Sequence, residues 1–159
     1  MKRTMTLIVM MTVLLFSQVA LAEVEFQIGE PVLTKVDEVQ HQEVTATVFK
    51  IVPLQAVATD SGGLPKPWWH LDEVYYLSAQ FTVYGTGTFY ARVKVTDVKT
   101  GAFITFPKTA YERSGGNYGI VTELSASGDP SKLPRQFKLT YEFKVGTTWK
   151  SVSTNILYY

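Results

Sequence analysis

The 159-residue sequence predicts an all-β fold, a single antiparallel β-sandwich of about seven strands with an additional N-terminal segment. Apolar and polar residues alternate along most of the chain with a period of two, which is typical of strands that bury one face, and no segment has a convincing helical period. Short runs that contain glycine, asparagine or proline separate the alternating segments and supply turns. Many short strands at this spacing indicate a sandwich or a barrel.

The clearest strand is Gln136–Val145, with the sequence QFKLTYEFKV. Its apolar residues point to one side and its polar residues to the other, so one side is predicted to be buried. Tyr75–Val83 has the same pattern, and the Gly85–Gly87 turn leads from it into a third alternating run, Thr88–Thr96. A short glycine-containing connection between two alternating runs predicts a β-hairpin.

Weaker runs complete the count of strands. They are Val44–Val52, Phe103–Phe106, Tyr118–Leu124 and Thr148–Tyr158, together with the N-terminal segment Val24–Ile28. Pro65 and Pro67 cannot donate hydrogen bonds to a sheet, so Ser61–Trp69 is predicted to be a loop.

The first 22 residues have the layout of a secretory signal peptide. Lys2 and Arg3 are basic, Leu7–Phe16 is apolar, and Ala20–Ala22 is a small-x-small cleavage site. The apolar run is shorter than the roughly 20 residues that a membrane-spanning helix needs. We therefore expect residues 1–22 to be a leader and residues 23–159 to be one β-sandwich domain. The mature chain is expected to have no transmembrane helix and to be exported across the inner membrane, to the periplasm or the cell surface.

The charge of the chain excludes some functions. The predicted mature chain has 13 basic and 14 acidic residues, a net charge of −1, which argues against a nucleic-acid partner. Residues 23–73 carry nine acids and three bases, while residues 74–159 carry five acids and ten bases. This asymmetry allows head-to-tail attraction between copies. Cysteine is absent, which excludes thiol catalysis, zinc–thiolate sites and stabilisation by disulfides.

One connection resembles a known fold family. Asp129–Pro134 contains a leucine–proline pair and leads directly into the alternation of Phe137, Leu139 and Tyr141. This is similar to the crossing before the penultimate strand of fibronectin type III and bacterial immunoglobulin-like domains. The resemblance implies that Leu133 plugs one end of the core where the chain changes sheets. The motif itself is about fifteen residues long, and the number of predicted strands extends the resemblance to residues 43–159. Domains with this fold have many unrelated functions.

The stretch LPKPWWHLDEVYYL, residues 64–77, contains three of the five candidate binding residues. Large aromatic side chains at this point either cap the core of a sandwich or form an exposed platform for a sugar or a protein. The residues predicted to form the platform, with neighbours across the predicted hairpin, are Trp68, Trp69, Tyr76, Tyr90 and Arg92. Adjacent residues of an extended chain point in opposite directions, so at most one of the two tryptophans is expected to be exposed.

The sequence predicts no enzyme, no metal site and no cofactor. His70, Asp72 and Glu73 do not have the spacing of a metal motif, and solvated charges explain them better. The chain contains no Gly-x-Ser-x-Gly nucleophile elbow, and its glycine pairs are explained as turns.

The C-terminus has a second resemblance. Gly146 is fourteenth from the end, Tyr158 is penultimate, and Val152 and Ile156 alternate toward it. This is similar to the C-terminal signature of chaperone–usher pilus subunits, in which an N-terminal extension completes a neighbour's sheet by strand addition. The candidate strand-exchange residues are Val24, Phe26, Ile28, Val152, Ile156 and Tyr158.

We therefore expect an exported, non-enzymatic binding module whose partner is a protein or a glycan at the bacterial cell envelope. Self-association is possible within this expectation. The first alternative is a pilus-like structural subunit that assembles by strand addition. The second is a small outer-membrane β-barrel, because the chain ends in an aromatic residue and its runs alternate.

Overall fold

A computed structural model describes residues 24–37, 48–129, 131 and 136–158. The predicted leader, most of the first half of the predicted strand Val44–Val52, and Leu133 with Pro134 lie outside these residues. The described residues form eleven strands and no α-helix. The strands are β1 (Val24–Ile28), β2 (Val32–Asp37), β3 (Lys50–Thr59), β4 (Trp68–Trp69), β5 (Val74–Tyr84), β6 (Gly87–Asp97), β7 (Phe103–Thr105), β8 (Thr109–Arg113), β9 (Gly116–Gly128), β10 (Gln136–Val145) and β11 (Thr148–Tyr158).

The strands form two sheets. The five-stranded sheet has the order β1-β9-β5-β3, and β2 continues the edge that β1 begins by pairing with the first part of β9. The six-stranded sheet has the order β4-β11-β10-β6-β7, with β8 also paired to β6. All pairings are antiparallel except that of β4 with β11, which is parallel.

The core lies between the two sheets, because the strands bury alternate side chains. In β5, Tyr75, Leu77, Ala79, Phe81 and Val83 are all buried, and the corresponding residues of β6 and β10 face them. This is the arrangement that alternation predicts for strands with one covered face. The predicted all-β sandwich is confirmed, and the immunoglobulin or fibronectin III subtype stays a prediction. As expected, the chain changes sheets between β9 and the penultimate strand β10.

The predicted hairpin at Gly85–Gly87 is wrong. Strands β5 and β6 do not pair; β5 belongs to the five-stranded sheet and β6 to the six-stranded sheet. Their apolar faces meet across the core, where the rings of Phe81 and Phe89 lie 5.6 Å apart. An arch between two sheets and a hairpin within one sheet both need a tight turn and inward-facing apolar residues, so alternation does not distinguish them.

Other strand predictions need smaller corrections. Trp68–Trp69 forms β4, although the sequence predicts a loop there. Pro67 cannot donate a hydrogen bond, but its carbonyl accepts one of 2.7 Å from the Leu157 N–H, and this contact aligns the two tryptophans with the end of β11. The predicted strand Val44–Val52 is shifted, since β3 runs from Lys50 to Thr59 and accommodates Pro53 through an irregularity in register. Strands β2 and β8 were not predicted, because each is short and its alternation is weak.

Within the described ranges, no helix is long and apolar enough to cross a membrane.

Candidate functional site

The two adjacent tryptophans of the candidate platform point in opposite directions. Trp68 is 45% exposed and Trp69 is 1% exposed. The reason is local: both lie in β4, and the register with β11 places Trp68 beside the exposed Leu157. Alternation in an extended segment predicts this result. Only Trp68 is therefore available to a partner.

Trp69 belongs to an aromatic cluster in the core. Its ring centroid lies 5.6 Å from that of Phe26, 4.9 Å from Tyr75 and 5.9 Å from Phe137. These edge and tilted contacts are the geometries that aromatic pairs prefer. Trp69 is thus a residue of the core, and its buried side chain is not available as the binding residue that the sequence suggested.

The other candidate residues divide between the two outer faces of the sandwich. Tyr76 lies on the outside of the five-stranded sheet, in register with Glu123 and Thr59. Tyr90 and Arg92 lie on the outside of the six-stranded sheet. The expected platform that joins Tyr76 to Tyr90 does not form, because β5 and β6 are in different sheets.

The outer face of the six-stranded sheet carries four exposed aromatic rings. Trp149 and Tyr90 are the cross-strand neighbours of Lys144, one on each side. Phe103 lies beside Thr96, which pairs with Lys138, six residues before Lys144 on β10. Trp68 lies beside Leu157, which pairs with Gln136 at the start of β10. Trp149 and Leu157 are eight residues apart on β11, so the rings extend over about 27 Å of the sheet.

Five cationic side chains accompany these rings. They are Arg92, Lys94, Lys108, Lys138 and Lys144. We call the surface formed by these cations and the four exposed rings, Trp68, Tyr90, Phe103 and Trp149, the cationic-aromatic face. Among the described residues, Glu112 and Glu142 are the acidic side chains that project from the same side of the strands. Five positive and two negative groups give this surface a net charge of +3.

Cations cover the rings at short range. The guanidinium of Arg92 lies 4.2 Å from the ring centroid of Trp149, and Lys144 approaches the same ring at 5.5 Å. Lys94 lies 4.1 Å from the ring centroid of Phe103. These cation–π contacts position the charges over an apolar support and limit their motion.

One carboxylate organises the centre of the face. Arg92 Nε donates a hydrogen bond of 2.6 Å to Glu142 Oε2, and Lys94 Nζ lies 4.0 Å from Glu142 Oε1. The side chains of Lys108, Lys138 and Lys144 form no ion pair with a described residue. Their charges remain available to an anion.

A depression of about 490 Å³ lies within this face, around Lys138. Its lining includes Thr96, Lys138, Ser153 and Asn155, which project from three neighbouring strands. The turn that follows Asp97 forms its wall.

The buried Asp97 carboxylate fixes that turn. It accepts hydrogen bonds from the Thr100 hydroxyl at 2.6 Å and the Lys99 N–H at 2.8 Å. Burial alone would raise the pKa of Asp97, but these hydrogen bonds lower it below its ordinary value. The carboxylate therefore stays ionised and continues to hold the turn at neutral pH.

Trp149 and Phe103 were missed as candidates by sequence reasoning. Trp149 is 59 residues from Tyr90 along the chain, and only the pairing of β6, β10 and β11 brings the two into one row. The available signal was that Trp149 lies next to a turn and opposite in phase to the apolar residues of its strand. That signal indicates exposure but does not indicate which residues share the surface.

The candidate strand-exchange residues lie within this chain's own sheets. Val24 and Phe26 are buried and β1 pairs with β9, while Ile156 is buried in β11, which pairs with β10 and β4. Ile28 and Val152 pack partly buried against the core. The backbone of Tyr158 pairs with that of Trp69.

The carboxylates near the opening aromatic stretch have local partners. Asp60 accepts hydrogen bonds from the N–H groups of Gly62 and Leu64. Glu73 forms an ion pair of 2.8 Å with Lys66 and accepts a hydrogen bond of 2.6 Å from the Tyr75 hydroxyl. The described part of the chain contains no group of three residues that could hold a metal ion.

In sequence comparisons, no protein family and no curated protein matches this chain. Among solved structures, the chain is similar to a β-glucosidase from Erythrobacter marinus, with a TM-score of 0.47 and 9% sequence identity. The match covers 70% of this chain and 16% of that enzyme's chain. A similarity of this level carries no inference about fold or activity.

Proposed function

We propose that the protein is an exported, non-enzymatic binding module of immunoglobulin-like or fibronectin III-like type. It acts at the bacterial cell envelope, in the periplasm or on the cell surface, and its partner is a protein or a glycan. The observation that supports this proposal most directly is the cationic-aromatic face. Tryptophan, tyrosine and arginine are enriched where binding energy is concentrated.

The arrangement of the face favours binding over a structural role. The exposed aromatic rings of this face, and its lysines that form no ion pair with a described residue, lie outside the core between the sheets. Apart from the open depression around Lys138, this sheet surface offers contacts on several neighbouring strands rather than an enclosed pocket. That geometry suits an extended partner.

The test is co-sedimentation of the purified protein with isolated bacterial envelopes. The variant Tyr90→Ala/Trp149→Ala removes two rings from the face. The control variant Tyr76→Ala/Tyr84→Ala removes two rings from the opposite sheet. We expect the first variant to bind at least tenfold more weakly and the control to bind like the wild type. Equal binding by all three proteins would reject this face as the binding surface.

Strand addition is the second candidate function. The observation that favours it is the position of β1, an edge strand that places Val24 and Phe26 in the core while pairing with β9 alone. A strand with these contacts could complete the same groove of a neighbouring copy.

The mass of the chain in solution tests this candidate. We would compare residues 23–159 with the same chain lacking residues 23–30. Strand addition predicts an oligomer that dissociates when the segment is removed. A monomer in both samples would exclude strand addition.

A further inference from the structure

We propose that the cationic-aromatic face binds an anionic polysaccharide whose charge is carried by carboxylate groups. This inference rests on the proposed binding function and specifies its partner.

The charge of the face selects an anion. Arg92 and Lys94 share one carboxylate, that of Glu142. Lys138 and Lys144 lie six residues apart on β10, and neither forms an ion pair with a described residue. Their spacing corresponds to about 20 Å along the sheet. Two uncompensated charges at this distance match a ligand with repeated negative groups better than a single small anion.

The rings suit the apolar faces of sugars. The face of an aromatic ring carries a negative electrostatic potential, so it attracts the weakly positive C–H groups of a pyranose ring. A cation lies over each of two rings, Arg92 at 4.2 Å from the Trp149 centroid and Lys94 at 4.1 Å from the Phe103 centroid. The cation covers one face of each ring, so a sugar would stack on the other face, next to the positive charge. A uronic acid residue has the complementary pair, an apolar face and a carboxylate.

The depression around Lys138 adds partners for hydroxyl groups. Thr96 and Ser153 contribute hydroxyls, and Asn155 contributes an amide. These neutral groups both donate and accept hydrogen bonds, as sugar hydroxyls do. Thr96 on β6 and Asn155 on β11 are the two cross-strand neighbours of Lys138, and Phe103 lies beside Thr96. A purely charge-driven surface would not need them.

Two other polyanions fit the face less well. An acidic polypeptide offers carboxylates but no apolar ring faces. A single-stranded nucleic acid offers bases to stack, but its binding depends on a strongly basic protein, and this chain has nearly balanced charge. Both are included as competitors in the test.

Calorimetric titration of the purified full chain with polygalacturonate tests the proposal. Dextran serves as the neutral polysaccharide, poly-glutamate as the acidic polypeptide, and oligo(dT) as the nucleic acid. The test variant is Lys138→Gln/Lys144→Gln, which leaves the ion pairs of Glu142 intact. The single variants Lys138→Gln and Lys144→Gln are also compared with the control Lys50→Gln, which likewise removes one charge, from the opposite sheet, where Lys50 lies 4.8 Å over the Tyr84 ring.

We expect polygalacturonate to bind at least tenfold more tightly than each of the other polymers. The Lys138→Gln/Lys144→Gln variant should bind it at least tenfold more weakly, and Lys50→Gln should match the wild type within twofold. Absence of polygalacturonate binding, or equal losses in the test and control variants, would overturn the proposal.

The competitors separate this inference from the proposed function. Binding of dextran as tight as that of polygalacturonate would leave a glycan-binding module and reject the requirement for charge. Tighter binding of poly-glutamate or oligo(dT) would reject the polysaccharide class. Co-sedimentation with envelopes, measured with the ring variants, tests the binding function independently of all four polymers.

Discussion

At the scale of single residues, burial separates the parts of the opening aromatic stretch. Trp69 contacts three other rings in the core, whereas its neighbour Trp68 lies at the surface. Truncation of a buried tryptophan removes its transfer free energy and leaves a cavity. Truncation of an exposed tryptophan loses only part of that transfer free energy and leaves no cavity in the core. The two adjacent residues therefore give a matched pair of substitutions.

Trp69→Ala is expected to reduce the free energy of unfolding by about 3–5 kcal/mol, and Trp68→Ala by less than about 1 kcal/mol. Urea titration followed by circular dichroism measures both values. If Trp69→Ala fails to fold, Trp69→Phe is measured instead. It keeps part of the same ring contacts, so it should reduce the free energy of unfolding by a smaller amount. Similar losses for the two alanine variants would contradict the assignment of Trp69 to the core.

Tyr141 shows how burial makes stability depend on pH. Its hydroxyl contacts the Thr122 hydroxyl and the Leu77 carbonyl, and the side chain is inaccessible to solvent. Burial raises the pKa of Tyr141 well above its ordinary value of 10.0. Because the pKa is higher in the folded state, the stabilisation is complete below pH 10 and is lost as the pH rises above that value.

We expect the free energy of unfolding of the wild type to fall above pH 10, and that of Tyr141→Phe to fall less steeply. Burial also raises the pKa values of Tyr75 and Tyr111, so some slope should remain. Urea titrations from pH 8 to about pH 11 measure the difference. Tyr84→Phe, a substitution at an exposed tyrosine, serves as control. Parallel profiles for the wild type and Tyr141→Phe would contradict the prediction.

At the scale of elements, two glycine-containing turns look similar in sequence and have different roles. Gly146 begins the two-residue connection between β10 and β11, with a φ of 57°. A glycine with positive φ at this position is typical of tight hairpins that match the twist of their strands. Gly85 also has a positive φ, but the chain there crosses between the sheets.

Gly146→Ala is expected to destabilise the protein by about 1–2 kcal/mol, because alanine is strained in the left-handed region. Gly115→Ala is the control, since a Cβ there would lie 3.6 Å from the nearest atom, which is ordinary contact. That control should be neutral or slightly stabilising. Thermal denaturation of both variants provides the measurement, and equal effects would show that backbone conformation does not determine the cost at Gly146.

At the scale of the whole molecule, the sequence predicted the strands better than their arrangement. Alternation identified β5, β6 and β10, because each buries every second side chain in one core. It did not assign the strands to sheets, because pairing depends on contacts between residues distant in the chain. The candidate site failed for the same reason: Tyr76 and Tyr90 face outward as expected, but from opposite sides.

The charge asymmetry of the sequence has a partial structural explanation. The C-terminal half of the chain supplies β6, β10 and β11, which carry most of the cationic-aromatic face. The excess of positive charge after residue 74 is thus concentrated in part on one surface. Composition alone indicated the imbalance, and the cross-strand register shows where the charges lie.

The shared core predicts that both sheets unfold together. Trp69 in β4 contacts Phe26 in the five-stranded sheet and Phe137 in the six-stranded sheet, so loss of either sheet exposes it. Trp68→Phe/Trp149→Phe leaves Trp69 as the single tryptophan. Its fluorescence and the far-ultraviolet circular dichroism should give one coincident urea transition. Separate midpoints would instead mean that one sheet persists without the other, and that the two outer faces belong to independently stable units.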